Sequence, residues 1–170
     1  MMAMSHVATS VVVWSLASQF TPLEPTPAAF LAVVVGSLLP DIDHPKSWLG
    51  RRLLFISAPL SLIVGHRGIT HSLLAATALL FALFWWGALG GYVVASLCIG
   101  YLGHLAGDFL TKGGIPVFWP LKRRFSLPLF GTGGLTEFLF VVMAVGVAAA
   151  IQKEYWVNEV SAWLATGAMF

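Results

Sequence analysis

Residues 29–45 read AFLAVVVGSLLPDIDHP, an apolar run of helical length that ends in two carboxylates and an imidazole. One aspartate near the middle of a bilayer costs roughly 2.5–3.5 kcal/mol on insertion scales, so a pair needs water, cations or a metal ion nearby. The stretch therefore predicts a membrane-embedded helix, and the rest of the chain decides which of these three accompanies its polar end.

The composition is that of an integral membrane protein. Of 170 residues, 58% are hydrophobic and 9% are charged, against about 25% charged in soluble domains. Because a span takes about 20 residues, we expect one domain over residues 1–170. Cys98 is the single cysteine, which excludes a disulfide within the chain and a thiolate metal site. The net charge of +2 does not favour a nucleic-acid partner.

Apolar runs separated by proline, glycine and polar residues predict an all-α fold. We expect five transmembrane helices, at about 5–20, 27–39, 71–89, 92–110 and 135–151. Residues 46–65, interrupted by Pro59, predict a re-entrant or interfacial helix, and an amphipathic end follows residue 151. Thr26 and Ser72 are candidate N-caps. The N-terminal segment lacks a basic region before its apolar run, so we expect residues 1–20 to stay in the mature protein.

Alternating helices place most of the polar residues at one end of this predicted bundle. These are His6, Asp41, Asp43, His44, His66, Arg67, His71, His104, Asp108, Lys112 and Glu137. Eight of the nine basic residues share that end, with Lys153 opposite, and the positive-inside rule assigns it to the cytoplasm. We therefore expect a cytoplasmic N-terminus and a C-terminus across the membrane.

The stretch GHLAGDFLTKGG at 103–114 holds the clearest local motif. His104 and Asp108 lie four residues apart on one helical face, from which both can reach one ion. The same spacing also suits a simple hydrogen bond within the helix.

The stretch HRGITHS at 66–72 adds His66 and His71 as candidate ligands. Arg67 would bind phosphate, and Thr70 and Ser72 would cap the next helix and orient the imidazoles. An interfacial loop that contacts lipid headgroups is the alternative interpretation.

The turn PDIDHP at 40–45 adds two carboxylates and His44. Mixed nitrogen and oxygen ligands favour zinc, with manganese or iron as alternatives. Asp41 could instead cap a turn, and Asp43 could pair with Arg51 or Arg52.

Two sets of residues summarise the predicted site. The metal set is His6, Asp41, His44, His66, His71, His104 and Asp108. The catalytic set is Asp43, Arg67, Lys112 and Glu137, where Glu137 is a candidate general base and a helix dipole also favours an acid at its position.

These ordered motifs, from His6 through PDIDHP, GHRGITHS, GHLAGDFLTKGG and FWP to TGGLTE, resemble the YdjM-type family. That family comprises bacterial inner-membrane proteins regarded as metal-dependent hydrolases and sometimes described as LexA-regulated or LexA-binding. The resemblance covers nearly the whole chain and implies a multi-pass protein of the bacterial inner membrane.

The order His, Asp, His, His-x-x-x-Asp and Glu is also similar to that of zinc-dependent phospholipase C and the single-strand zinc nucleases. That similarity implies one metal held by Asp41, His71, His104 and Asp108, with Asp108 bridging to a second ion near His6. No histidine follows Asp108, so one or two ions are expected rather than three.

Together the residues and the resemblance predict a membrane-embedded phosphoesterase that hydrolyses a phospholipid or another lipid-linked phosphate. Membrane lipids are the expected partners, with a regulator or a second copy of the chain as further candidates. The alternatives are a non-enzymatic metal-binding or transport protein, and a regulator-binding protein that uses the basic loop at 112–134.

Overall fold

The computed structural model describes residues 1–65, 67–87 and 89–166, and the regular secondary structure in these ranges is helical, apart from two isolated β-bridges. Its helices are α1 (Ala3–Ser18), α2 (Pro27–Leu38), α3 (Leu54–Val64), α4 (Leu73–Trp86), α5 (Gly91–Phe109) and α6 (Leu135–Thr166). Short 3-10 turns at Pro40–Asp43 and Ile69–His71 follow α2 and precede α4. The prediction of an all-α fold is confirmed.

Two of the three predicted N-caps are present, Thr26 and Ser72, whereas the Thr70 hydroxyl donates to Asp43 Oδ2 instead. The Thr26 hydroxyl accepts a hydrogen bond from the Ala29 N–H at 3.2 Å, with Pro27 as the first residue of α2. The Ser72 hydroxyl accepts one from the Ala75 N–H at 3.3 Å at the start of α4. Each cap satisfies an N–H that the first helical turn leaves open.

Helix α5 is the central element and packs against α1, α2 and α4. Glycines allow the backbones to approach closely, because a Cβ atom on Gly36 would overlap the Leu97 carbonyl oxygen, and one on Gly100 would overlap the Val33 carbonyl oxygen. Small residues at such crossings are typical of helix packing in membranes. The contact between α2 and α5 fixes the position of the turn that follows α2.

Helix α6 lies at the periphery and packs against α1. We expected a helix over 135–151 followed by a separate amphipathic end, but α6 continues without a break to Thr166. The segment after Ile151 contains neither proline nor glycine before Gly167, so no residue there interrupts the helix.

Within the described ranges, two helices are long and apolar enough to cross a membrane, α5 and the Leu135–Ala162 part of α6. Helix α1 has 16 residues, about 24 Å at 1.5 Å per residue, which is shorter than a hydrocarbon core of roughly 30 Å. Helix α3 has 11 residues and contains Pro59. The bundle of five spans with a re-entrant helix stays a prediction.

Candidate metal centre

Helix α5 presents His104 and Asp108 on its buried face. Their side chains are 0% and 1% exposed, because the C-terminal half of α5 lies among α1, α2 and α4. The two residues point into the interior, where the turns beside α2 and α4 also end.

Those two turns supply the other polar groups. Pro40 starts the 3-10 turn after α2, which contains Asp41 and Asp43. The 3-10 turn before α4 ends at His71, which is fully buried. Residues that are distant in the sequence therefore meet beside α5.

Four donor atoms face one another in this interior space. The Nε2 atoms of His71 and His104 are 3.3 Å apart, and Asp108 Oδ2 lies 3.6 Å from the first and 3.9 Å from the second. Asp41 Oδ1 lies 3.8 and 3.9 Å from the same two nitrogens. Asp41, His71 and His104 form one group whose donor atoms lie within 4.8 Å of one another. A tetrahedral ion with bonds of 2.0–2.1 Å has donors roughly 3.3 Å apart, so a small contraction would let these three atoms bind it, with Asp108 Oδ2 facing the same two nitrogens.

Each of the two imidazoles is held through its other nitrogen. His104 Nδ1 lies 2.6 Å from the Ser37 carbonyl oxygen. His71 Nδ1 lies 3.1 Å from the Thr70 hydroxyl oxygen and 3.4 Å from Asp43 Oδ2. These acceptors favour the tautomer with the proton on Nδ1, which leaves both Nε2 lone pairs directed at the common space.

The two carboxylate oxygens of Asp108 lie in different environments. Oδ2 is buried and has no hydrogen-bond partner among the described residues. Oδ1 accepts a hydrogen bond from Arg67 Nη2 at 2.8 Å and lies 3.0 Å from the Met1 amino group. The two ligand carboxylates, Asp41 and Asp108, carry the charge that a divalent ion balances. The donor set thus fits a divalent metal.

His6 extends the cluster on the Oδ1 side of Asp108. Its Nε2 lies 3.6 Å from Asp108 Oδ1, and its ring stacks on His104 with centroids 3.6 Å apart. His6, His104 and Asp108 form a second group whose donor atoms lie within 4.8 Å of one another. Because His104 Nδ1 contacts Ser37, both groups depend on the same Nε2 of His104.

Arg67 is held next to the cluster in an unusual backbone conformation. Its φ is 56°, in the left-handed region that few residues other than glycine adopt. Its N–H donates to Asp43 Oδ2 at 3.1 Å, while its guanidinium reaches Asp108. Gly113 makes room for this side chain, since a Cβ atom there would overlap Arg67 Nη1.

The remaining predicted site residues lie elsewhere. Glu137 is fully buried and accepts hydrogen bonds from the Met2 N–H at 2.8 Å and the Gly133 N–H at 2.5 Å, so it connects α1 to the start of α6. Lys112 is exposed and His44 is half-buried, and neither lies in the two donor groups of the described residues. His66 lies outside the described residues.

Two contacts at the site were not predicted from the sequence. Ser37 acts through its backbone carbonyl oxygen, which no side-chain pattern can reveal. The Tyr101 hydroxyl donates to the Thr70 carbonyl oxygen, and Tyr101 lies one turn before His104 on α5. The sequence signal for this contact was an aromatic hydroxyl on the face of α5 that carries the candidate ligands.

The fold and the donor set define an all-helical membrane protein with a candidate divalent-metal centre. The chain belongs to the YdjM inner membrane protein family, whose model matches residues 1–170, so the resemblance inferred from the motifs is confirmed.

Two relatives named "Inner membrane protein YdjM", from Escherichia coli (strain K12) and Shigella flexneri, are each 46% identical over 102 residues. That alignment covers 58% of this chain and 52% of each relative, so the chain spans about half the length of these curated relatives. YvsG from Bacillus subtilis (strain 168) is 38% identical over 109 residues, 61% of this chain and 64% of YvsG. No solved structure matches, and the similarity to phospholipase C stays a prediction.

Proposed function

We propose that this chain is a membrane-bound, metal-dependent hydrolase that cleaves a phosphate ester of a phospholipid or another lipid-linked phosphate. The observation that carries the proposal is Asp108 Oδ2, a buried carboxylate oxygen without a described partner that faces the Nε2 atoms of His71 and His104. Arg67 and the Met1 amino group both contact Oδ1, so Oδ2 keeps unused acceptor capacity directed at the two imidazoles, which a metal ion would fill.

Asp41, His71, His104 and Asp108 would hold zinc, or manganese or iron, and His6 with Asp108 Oδ1 would contribute to a second ion if one binds. The ion supplies two effects when bound: it lowers the pKa of a water molecule toward neutrality and polarises a phosphoryl oxygen. The arrangement around the histidines is that of metal sites in which a carboxylate or carbonyl orients each imidazole.

The substrate would approach from the side of Asp41 and Arg67. Their side chains are 16% and 13% exposed, whereas those of His71, His104 and Asp108 are at most 1% exposed. In the reaction, water oxygen bonds to phosphorus, the bond from phosphorus to the alcohol oxygen breaks, and one water proton ends on the released alcohol. The Arg67 guanidinium would hold the phosphate in place.

Two other residues of the predicted catalytic set receive more modest roles. Asp43 contacts His71 Nδ1 and the Arg67 N–H, so we assign it as a positioning residue. Lys112 is exposed in the loop after α5, where its charge would attract an anionic substrate. The role of Glu137 as a general base stays a prediction, since both of its oxygens accept backbone hydrogen bonds.

The location of the site supports a lipid substrate. The relatives are named inner membrane proteins, and the basic residues predict that this end of the bundle faces the cytoplasm. A headgroup at the membrane surface could reach the Asp41 side without leaving the bilayer. Multi-pass insertion in the bacterial inner membrane and a cytoplasmic site are part of the proposal.

A second candidate is a non-enzymatic metal-binding protein. The observation that favours it is the number of protein ligands, because four side chains can fill a tetrahedral shell, as in structural zinc sites. The partial exposure of Asp41 favours the hydrolase, since an exposed ligand is the one that substrate or water can displace.

Metal analysis of protein purified in detergent, combined with phosphate release from phosphatidic acid and from a soluble phosphomonoester, tests the proposal. We expect about one bound divalent transition metal per chain, lost in His104→Ala and Asp108→Asn, and hydrolysis lost with it. Glu154→Gln, an acid on α6 far from the cluster, is the matched control and should retain both.

Each other result has a definite meaning. Stoichiometric metal with no phosphate release from either substrate would select the binding protein over the hydrolase. A folded wild type that binds no transition metal, even after incubation with zinc, manganese and iron salts, would remove the basis for both.

A further inference from the structure

An apolar groove of about 760 Å³ runs between α1 and α6, with the start of α2 at its side. Small residues create it: Ala8 on α1 and Ala148 on α6 are 6% and 7% exposed and leave space that larger side chains would fill. Five valines, Trp14 and Phe30 form half of the remaining wall. The groove is separate from the metal centre and serves no step of the proposed hydrolysis.

The two helices that form the groove run in the same direction. At one end the Met2 N–H donates to Glu137, and at the other end Gln152 Nε2 donates to the Ser18 hydroxyl at 3.2 Å. The groove therefore follows the long axis of the bundle.

Its polar end carries a cation beside an aromatic side chain. Lys153 and Trp156 line this end, and Trp156 is 40% exposed. From Leu135 to Lys153, α6 rises about 27 Å, close to the roughly 30 Å hydrocarbon thickness. Lysine and tryptophan at that height are typical of a membrane interface.

We propose that this groove binds one acyl chain of an anionic phospholipid, with the lipid phosphate at Lys153. From Lys153 to Val141, the groove extends about 18 Å along α6, slightly more than the roughly 15 Å hydrocarbon depth of one leaflet. The apolar wall suits a hydrocarbon chain, and the single cation at the mouth suits a negatively charged headgroup.

A flexible hydrocarbon chain can follow this groove along α6. A helix of a second copy is the alternative occupant, and the groove-filling variants distinguish the two.

Native mass spectrometry of delipidated protein in detergent tests this proposal with two lipids that share the same acyl chains, phosphatidylglycerol and phosphatidylcholine. We expect phosphatidylglycerol adducts to be at least fivefold more abundant, and Lys153→Gln to lower them to the phosphatidylcholine level. Lys122→Gln, a lysine in the loop after α5, is the matched control and should retain the preference.

Filling the groove tests the acyl-chain part. Ala148→Phe should lower adducts of both lipids at least fivefold, and Val145→Trp, at a position that is 55% exposed on the rim, serves if Ala148→Phe does not fold. Phosphatidylglycerol adducts that stay at the wild-type level in Lys153→Gln or in a folded groove-filling variant would overturn the proposal. A dimer that dissociates in a groove-filling variant would overturn it in favour of a second copy. Bound metal should be unchanged throughout.

Discussion

Helices α5 and α6 are both long and apolar enough to cross a membrane, yet they occupy opposite environments. In the apolar stretch of α5, 61% of residues are buried within the protein, against 22% in α6. Helix α5 meets three other helices and carries two of the candidate ligands, whereas α6 packs on α1 alone among the principal contacts. Hydropathy identifies both as spans but does not distinguish a helix that faces protein from one that faces lipid.

The difference lies in where the small and polar residues fall. Gly100 and Gly103 of α5 each lie against a neighbouring helix, where a Cβ atom would collide with Val33 or Ser10. Gly146 of α6 has open space around it. A glycine in a membrane helix is therefore informative only when its neighbours are known.

The largest expected effect concerns the ligands on α5. Asp108→Ala should weaken metal binding more than about 100-fold, beyond the 10–100-fold cost typical of removing an outer-shell partner. The reason is that Oδ2 leaves the donor set while the rest of the cluster stays in place. Isothermal titration with zinc in detergent measures it, and Glu154→Gln on α6 should leave the affinity unchanged. Equal affinities in both variants would mean that α5 is not the metal-binding helix.

The next effect tests whether Asp43, in the turn after α2, orients His71 for metal binding. Asp43→Asn keeps the side-chain volume but weakens the contact with His71 Nδ1, so zinc affinity should fall roughly 10–100-fold. Competition with a chelator of known affinity measures the loss. Asp43→Glu should restore part of the affinity, and an unchanged affinity for Asp43→Asn would show that the carboxylate does not orient His71.

Replacing a glycine by alanine should change the unfolding free energy in opposite directions in the two helices. Gly100→Ala forces α5 away from the Val33 backbone, and overpacking of this kind costs about 1–3 kcal/mol of unfolding free energy. Gly146→Ala meets open space and should raise the unfolding free energy by about 0.5–1 kcal/mol. Denaturant titration in micelles compares them, and destabilisation of similar size in both would contradict the proposed environments.

The smallest effect concerns a single hydrogen bond. Trp14 Nε1 donates to the Ser96 hydroxyl at 3.2 Å between α1 and α5, so Ser96→Ala should lower the unfolding free energy by about 1 kcal/mol. Ser161→Ala on the exposed part of α6 should stay within about 0.5 kcal/mol of wild type. A larger loss for Ser161→Ala would place that part of α6 in a packed environment.

The position of the candidate site was accessible from the sequence, because alternating helices are expected to bring polar residues at helix ends to one end of a bundle. The proximity of His6, Asp41, His71, His104 and Asp108 agrees with the predicted gathering at one end. The orientation of the imidazoles was less accessible, since one acceptor is the Ser37 backbone carbonyl.

Other features of the structure could not be predicted from the sequence. The continuous α6 was wrongly divided at residue 151, because QKEYWVNEV is polar enough to suggest an interfacial segment even though each residue tolerates a helix. The contact of Arg67 with Asp108 depends on its left-handed backbone and on the space beside Gly113. A pattern of residue types does not encode either of these local geometries.

The candidate ligands of the first ion come from three separate stretches, the turn after α2, the turn before α4 and the end of α5. During synthesis the ribosome releases Asp41 and His71 well before His104 and Asp108, so the donor set is complete only after α5 has emerged and packed. Binding of a metal ion would therefore be a late step of biogenesis, because a nascent chain that stops before α5 lacks part of the candidate donor set.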